Sequence, residues 1–314
     1  MPYIVSIIVP AYNCGKTINQ TINSILQQST IAQKEIIIIN DGSTDNTAHI
    51  LNQWQGNPQF IIHHTKNQGA SAARELGRHL ASGQYIKYLD SDDLLLPNSL
   101  ALQVEALQKS KADICYGKWQ KFREVEGEIQ VLETMSPHLE EDTVHSTFTT
   151  FWCPPAALLF TREIVDKIGP WPDQLPIIQD ARYLQNAAMA GARFVEADAI
   201  VAQYRVSDTS LSNRHGELKF YQDVYRNTLN VWQIWQQRYP QPQYRSAIVE
   251  TLRNCAKVFI QHDRALFDQC ITELLKIEPH YIPKRSASMR FLSQLFGFRQ
   301  ASIWIHRLKQ LLGQ

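Results

Sequence analysis

The chain has 314 residues, 44% apolar and 19% charged, with 13 glycines and 14 prolines, the composition of a globular protein and not of a disordered, collagen-like or coiled-coil one. Its 31 Lys and Arg against 30 Asp and Glu leave a formal charge of +1, which argues against a nucleic-acid partner held by bulk electrostatics. Cys14, Cys115, Cys153, Cys255 and Cys270 are scattered without a CxxC pair, so neither a disulfide framework nor a structural zinc is indicated and a reducing, cytoplasmic compartment is expected. No basic segment precedes the first apolar run, so no secretory signal is read, and the uncharged stretch Thr143–Thr161 is broken by Pro154-Pro155 and does not read as a membrane span.

The first half alternates short β-branched runs with helical patterns, which predicts an α/β fold with a mostly parallel sheet and helices on both faces. Strands are expected at Ile4–Val9, Ile36–Ile39, Phe60–His63, Tyr85–Leu89, Asp113–Tyr116, Ala156–Phe160 and Ala199–Tyr204. Between them the spacing predicts helices over Thr17–Gln28, Ala70–Ala81, a stretch opened by Pro97, and Gln179–Ala190. The charged segment Arg123–Glu141 reads as a surface hairpin or loop. After about Ser207 only helices are expected: Glu217–Arg238, Tyr244–Leu275 with a break near Gln261, and Ala287–Leu312.

Polar residues and glycine collect where the predicted strands end, the edge at which open α/β sheets bind ligands. Pro10-Ala11-Tyr12-Asn13 follows the first strand, Asn40-Asp41-Gly42-Ser43 the second, Asn67-Gln68-Gly69-Ala70 the third and Asp90-Ser91-Asp92-Asp93 the fourth. Together they offer a ring for a base to stack on at Tyr12, an acceptor at Asp41 and a close backbone approach at Gly69. Asp90 and Asp92, one residue apart, present hard oxygen ligands for Mg²⁺ or Mn²⁺ bound together with substrate phosphates; the same turn is equally able to cap the following helix.

These stretches, with Val5-Ser6-Ile7-Ile8-Val9, Ser43-Thr44-Asp45 and Ser71-Ala72-Ala73-Arg74, resemble the family 2 glycosyltransferases in order and spacing. The likeness is close over roughly the first 115 residues and extends to about Ser212, and it implies a GT-A (Rossmann-like) domain over 1–212 with a helical C-terminal extension over 213–314. It further implies that Pro10, Tyr12 and Asp41 hold the base and ribose, with Ala11, Asn13 and Ser91 among the nucleotide-sugar contacts. Asn67, Gly69 and Arg74 would close the pocket. Asp90 and Asp92 would form the DxD element, Asp92 the direct metal ligand and Asp90 nearer the ribose or sugar; Asp93 reads instead as a helix N-terminal charge. The family's catalytic carboxylate would be Asp180, preceded here by Gln179 where a Glu is usual, so less like-charge repulsion and a smaller upward pKa shift are expected. The bland alternative is that Asp180 only completes a helix N-terminus. Tyr204-Arg205 with Ser207, Ser210 and Ser212 resembles the segment that closes over the diphosphate, lacking its frequent histidine.

The resemblance implies an inverting transfer from a nucleoside-diphosphate sugar, a UDP-sugar first among the candidates, to a carbohydrate or lipid-linked acceptor in glycan synthesis, assisted by Mg²⁺ or Mn²⁺. Its rivals are a non-catalytic sugar-nucleotide-binding protein and a nucleotidyltransferase, which the absence of a glycine-rich triphosphate loop after the first strand disfavours. Trp152 and Trp171 stand where an acceptor would pass and equally suit a core. His63-His64 on a strand points to opposite faces and reads as structural, as does Cys14. The tail 284–314 carries +6 with no acidic residue against −5 for the rest, and its apolar residues recur at helical spacing. It suits the inner face of an anionic membrane, or packing on its own domain or a second subunit.

Overall fold

The computed structural model describes residues 4–28, 33–207, 211–283 and 286–312. Ser210, the side chain of Ser212, and Lys284 and Arg285 lie outside the described residues. The chain divides into two compact units, Met1–Ser210 and Leu211–Gln314.

The first unit opens with regular alternation: β1 (Ile4–Ala11), α1 (Ile18–Leu26), β2 (Gln33–Asp41), α2 (Thr47–Asn52), β3 (Phe60–Thr65), α3 (Ala70–Leu80) and β4 (Tyr85–Tyr88). It continues as β5 (Leu94–Leu95), α4 (Ser99–Ser110), β6 (Ile114–Val125), β7 (Glu128–Met135), α5 (Thr143–Thr149), β8 (Leu158–Thr161), α6 (Arg162–Ile168), α7 (Gln179–Met189) and β9 (Phe194–Arg205). The sheet order is β3-β2-β1-β4-β8-β6-β9-β5, with β7 paired to β6. β1 pairs in parallel with β2 and β4, and β6 with β9, while β5, β7 and β8 run antiparallel to their neighbours. The apolar runs at Val5, Ile7–Val9 and Ile36–Ile39 are completely buried, as unbroken runs require in strands covered on both faces. Helix α3 lies so close to β1 that a Cβ at Gly77 would stand 2.3 Å from Ile8 Cγ2, so glycine is what lets helix and strand meet.

The first unit departs from the sequence reading at β9 and at two short helices, and it resolves the hairpin-or-loop alternative as a hairpin. β9 begins at Phe194 and not Ala199, because its first half carries Glu196 and Asp198 at a solvated edge where Asp198 pairs with Lys118 at 2.6 Å. The stretch read as a hairpin or loop is an ordered hairpin of β6 and β7, offset by an irregularity between Lys121 and Phe122. Helices α5 and α6 are only seven residues each, too short to show a helical period, and are fixed by caps: Asp142 accepts from His145 N at 3.0 Å and Thr161 from Ile164 N at 3.4 Å.

The second unit comprises α8 (Leu211–Arg238, interrupted at Gly216), α9 (Pro242–His262), α10 (Arg264–Ile277) and α11 (Ala287–Leu311). The break expected near Gln261 falls at Asp263, whose carboxylate caps α10 by accepting from Leu266 N at 3.0 Å. Trp235, Leu252, Phe259, Phe267 and Leu274 form its buried interior. α11 is two helical pieces joined at Gly297, where φ is 78°. Phe298, Ala301 and Ile303 face inward, while Phe291, Leu295, Phe296, Trp304, Leu308 and Leu311 are exposed, and the Phe296 and Trp304 rings meet edge-on at 4.7 Å. Among the described residues no helix is long and apolar enough to cross a membrane.

Because nothing beside Gly77 can retreat without moving β1, Gly77→Val should cost about 1–3 kcal/mol. Urea unfolding followed by circular dichroism should show a lower midpoint with an unchanged slope.

Candidate active site

The four strand ends meet on one rim. At the end of β1, Pro10 is half-buried and Ala11 buried, so Ala11 offers only backbone, whereas the Tyr12 ring is 44% exposed. Asn13 is engaged by its neighbour loop: Oδ1 accepts from Thr44 N at 2.7 Å and its own N–H donates to Ser43 Oγ at 3.0 Å. Asp41 is 4% exposed, and its carboxylate accepts from Gln68 N at 2.9 Å, Gly69 N at 2.8 Å and Thr65 Oγ1 at 3.1 Å. One carboxylate therefore shapes the loop that presents Asn67 and Gly69, both exposed. Gly42, at φ 72°, sits where a Cβ would come within 2.7 Å of Asn67 N, so the two rim loops touch through a residue without a side chain.

The acidic turn after β4 is held from behind by α1. Thr17 Oγ1 donates to Ser91 O at 2.9 Å and Thr21 Oγ1 to Asp93 O at 3.0 Å, and Asp93 N closes the turn on Asp90 O at 3.1 Å. Asp90 forms an ion pair with Arg74 of α3. Asp92 is pushed up to about 6 by burial first and by the Asp90 charge second, with Arg205 pulling it back. Asp93 is likewise held well above the ordinary carboxylate value, by burial first and then by both neighbouring carboxylates. It precedes β5, and α4 starts only at Ser99, so Asp93 is no helix N-terminal charge; its Oδ1 accepts from Arg205 N at 2.9 Å. The Arg205 guanidinium stacks over Phe122 and is engaged by Asp92 O, Glu124 Oε2 and Gln20 Oε1, bracing the turn.

Asp180 stands in the first turn of α7. Burial raises its pKa, the Asp90 charge adds to the rise, and the Ala181 N–H, Arg74 and the Trp152 indole oppose it. Trp152 Nε1 donates to Asp180 Oδ2 at 3.0 Å. Burial, rather than a neighbouring carboxylate, thus sets the basicity. Gln179 plays a different part, being buried, accepting from Ser71 Oγ and donating to Pro176 O at 3.1 Å, which ties α7 to α3. Arg74 is 4% exposed, lies 4.6 Å over the Trp171 ring, and has two buried guanidinium nitrogens without an acceptor among the described residues. Tyr204, which the sequence shows only within a closing segment, has its pKa raised by burial and then by Asp93, Asp90, Asp180 and Asp92, which marks it as the ring standing among all four carboxylates. No sequence spacing links it to them. Cys14 is inert, burial pushing its thiol up, and His64 bonds to Asn40 Nδ2 at 2.9 Å, a link between β2 and β3.

Residues 6–169 match the family model described as glycosyl transferase family 2. The chain belongs to glycosyl transferase family 2. Among relatives of this family, the glycosyltransferase GlyG of Streptococcus pneumoniae serotype 4 is 34% identical over 129 residues, 40% of this chain and 42% of that one. An uncharacterized glycosyltransferase, alr2836, of Nostoc is 31% identical over 175 residues, 53% of each chain. The UDP-Glc:alpha-D-GlcNAc-diphosphoundecaprenol beta-1,3-glucosyltransferase WfgD of Escherichia coli is 35% identical over 118 residues, 38% of this chain and 46% of that one. The chain thus spans about half, or less, of these relatives' lengths. In three dimensions it resembles residues 1–349 of S. aureus TarS in complex with UDP-GlcNAc, with a TM-score of 0.70 at 16% identity over 100% of this chain and 93% of that one. The mannosyltransferase PcManGT from Pyrobaculum calidifontis, in complex with GDP-Man and Mn²⁺, gives 0.56 at 14% identity over 100% and 88%. The family fold is the GT-A arrangement of a mixed sheet and flanking helices, here followed by further helices.

The Asp41 carboxylate is the cross-link of the rim. Asp41→Ala strands two backbone N–H groups and should cost about 1–3 kcal/mol, read as a lower urea midpoint.

Proposed function

We propose that this chain is an inverting glycosyltransferase that moves a sugar from a nucleoside-diphosphate donor, a UDP-sugar first, to an acceptor hydroxyl on a glycan or lipid-linked sugar. The observation that carries the reading is the convergence at one sheet edge of Asp90 and Asp92, the buried Arg74 and a basic-shifted Asp180. The nucleotide sugars held by the similar structures, UDP-GlcNAc and GDP-Man, support the donor class.

Asp90 and Asp92 fit a divalent cation: burial first and the Asp90 charge second raise Asp92, so a positive charge beside these two oxygen-ligand carboxylates is favoured. Mg²⁺ or Mn²⁺ bound there would act as a Lewis acid toward the departing diphosphate. Tyr12, Pro10 and the loop held by Asp41 wall the base and ribose, with Asn67 and Gly69 closing beside them. Arg74 fixes Asp90 and adds positive field where the diphosphate gathers charge. Arg205 keeps the turn in place. Asp180 takes the proton from the acceptor hydroxyl at its Oδ atoms, with Trp152 fixing the carboxylate's direction.

Asp180→Asn should lower transfer by roughly 10²–10⁴-fold while leaving the thermal stabilisation by donor intact. Asp92→Ala should lose the Mn²⁺-dependent part of that stabilisation. Because Asp180 is raised above its ordinary 3.8 and works deprotonated, kcat should climb with pH along a limb above that value, and the Asn variant should lack the limb. Donor stabilisation without turnover in the unaltered protein would point to a binding protein.

The exposed apolar row of α11 lies beside the exposed Arg290, Arg307 and Lys309, in a tail without acidic residues. We propose that this face rests on an anionic cytoplasmic membrane surface, where a lipid-linked acceptor would be met. The protein should sediment with phosphatidylglycerol vesicles and not with phosphatidylcholine alone, and Leu308→Ser should weaken binding roughly tenfold.

A further inference from the structure

A cavity of about 260 Å³ opens beside Trp152, the residue that donates to the candidate base. Its wall includes Trp119 of β6, Ser136, His138 and Glu140 of the segment leaving β7, Thr150 at the end of α5, and Trp152. The loop is tied down: Glu140 N donates to Ser146 Oγ at 3.3 Å, and the Ser146 and Thr150 hydroxyls are 3.3 Å apart. The two indoles meet edge-on at 5.5 Å, and Trp152 packs likewise on Tyr204 at 6.1 Å. Trp119 is 2% exposed and backs the cavity, while the Trp152 ring, 36% exposed, is the aromatic surface open to it.

We infer that this cavity is the subsite for a neutral sugar ring of the acceptor. Aromatic walls pack on the apolar faces of pyranoses, and a carboxylate, an imidazole and hydroxyls match vicinal sugar hydroxyls. The volume lies near the low end of the ~300–1,000 Å³ of ordinary ligand sites, which suits one ring. Neither Lys nor Arg lines it, and Glu140 would repel an anion, so a uronate or a phosphorylated sugar is disfavoured. Trp152 joins the cavity to catalysis, because the same side chain lines it and donates to Asp180. The inference rests on the transferase reading, since it assigns the sugar to the acceptor.

Saturation-transfer NMR on the full chain, with UDP and Mn²⁺ present, tests it using methyl β-D-glucopyranoside, methyl β-D-galactopyranoside, the methyl glycoside of N-acetylglucosamine, and methyl β-D-glucuronide. At least one neutral glycoside should receive saturation and the glucuronide none. Glu140→Gln and His138→Ala, both on the exposed loop that lines the cavity, should each weaken the neutral signal roughly fivefold, the size of one lost hydrogen bond, while the UDP signal persists. UDP signal without any glycoside signal, or glycoside signal unchanged in both variants, overturns the subsite. Glycoside signal lost in the variants, in a protein that never binds UDP, keeps the sugar cavity and overturns the donor reading instead.

Discussion

Everything at the rim is arranged around an excess of negative charge in a partly dry place. Asp90, Asp92, Asp93 and Asp180 converge on Tyr204, and Arg74 and Arg205 are the cations that answer them among the described residues. Carboxylates brought this close out of water cannot all ionise freely. The fold answers in three ways: Asp93 is buried with its pKa held well above the ordinary value, Asp90 is paired with Arg74, and Asp92 is raised by burial and the Asp90 charge with Arg205 opposing. That remaining imbalance is concentrated in the turn between β4 and β5.

Holding that turn requires more structure than the turn itself. α1 supplies two threonine hydroxyls to its backbone, β9 ends in an arginine whose backbone and side chain both reach it, and Glu124 at the tip of β6 locks that arginine. Elements far apart in sequence are thereby committed to one four-residue segment. The long β6 and β9 strands have their purpose here, since shorter ones would not bring Glu124 and Arg205 to the same place.

The strands of the first half are legible in the sequence because strands buried on both faces leave unbroken apolar runs, and the rim motifs follow from where those runs stop. What each rim residue does is less legible. Asp41 and Asn13 carry the residue types of ligand contacts, yet their side chains hold loops together, and Gln179 departs from the usual carboxylate while serving as a buried strut between α3 and α7. Such uses depend on partners dozens of residues away. The solvated half of β9, the seven-residue helices and the Gly297 joint are hidden for the opposite reason, being too short or too polar to leave a period.

The family match ends at residue 169, before Asp180, Tyr204 and Arg205. The four strand-end loops therefore lie within the matched stretch, whereas Asp180 is delivered by α7 beyond it. Trp152 bridges the two regions: it lies inside the matched stretch and donates to Asp180 outside it. A substitution there would remove a donor from the Asp180 carboxylate without touching the strand-end loops. Trp119, Trp152 and Tyr204 pack edge-on in one group, so a substitution at any of them would be felt at Asp180 through the Trp152 indole.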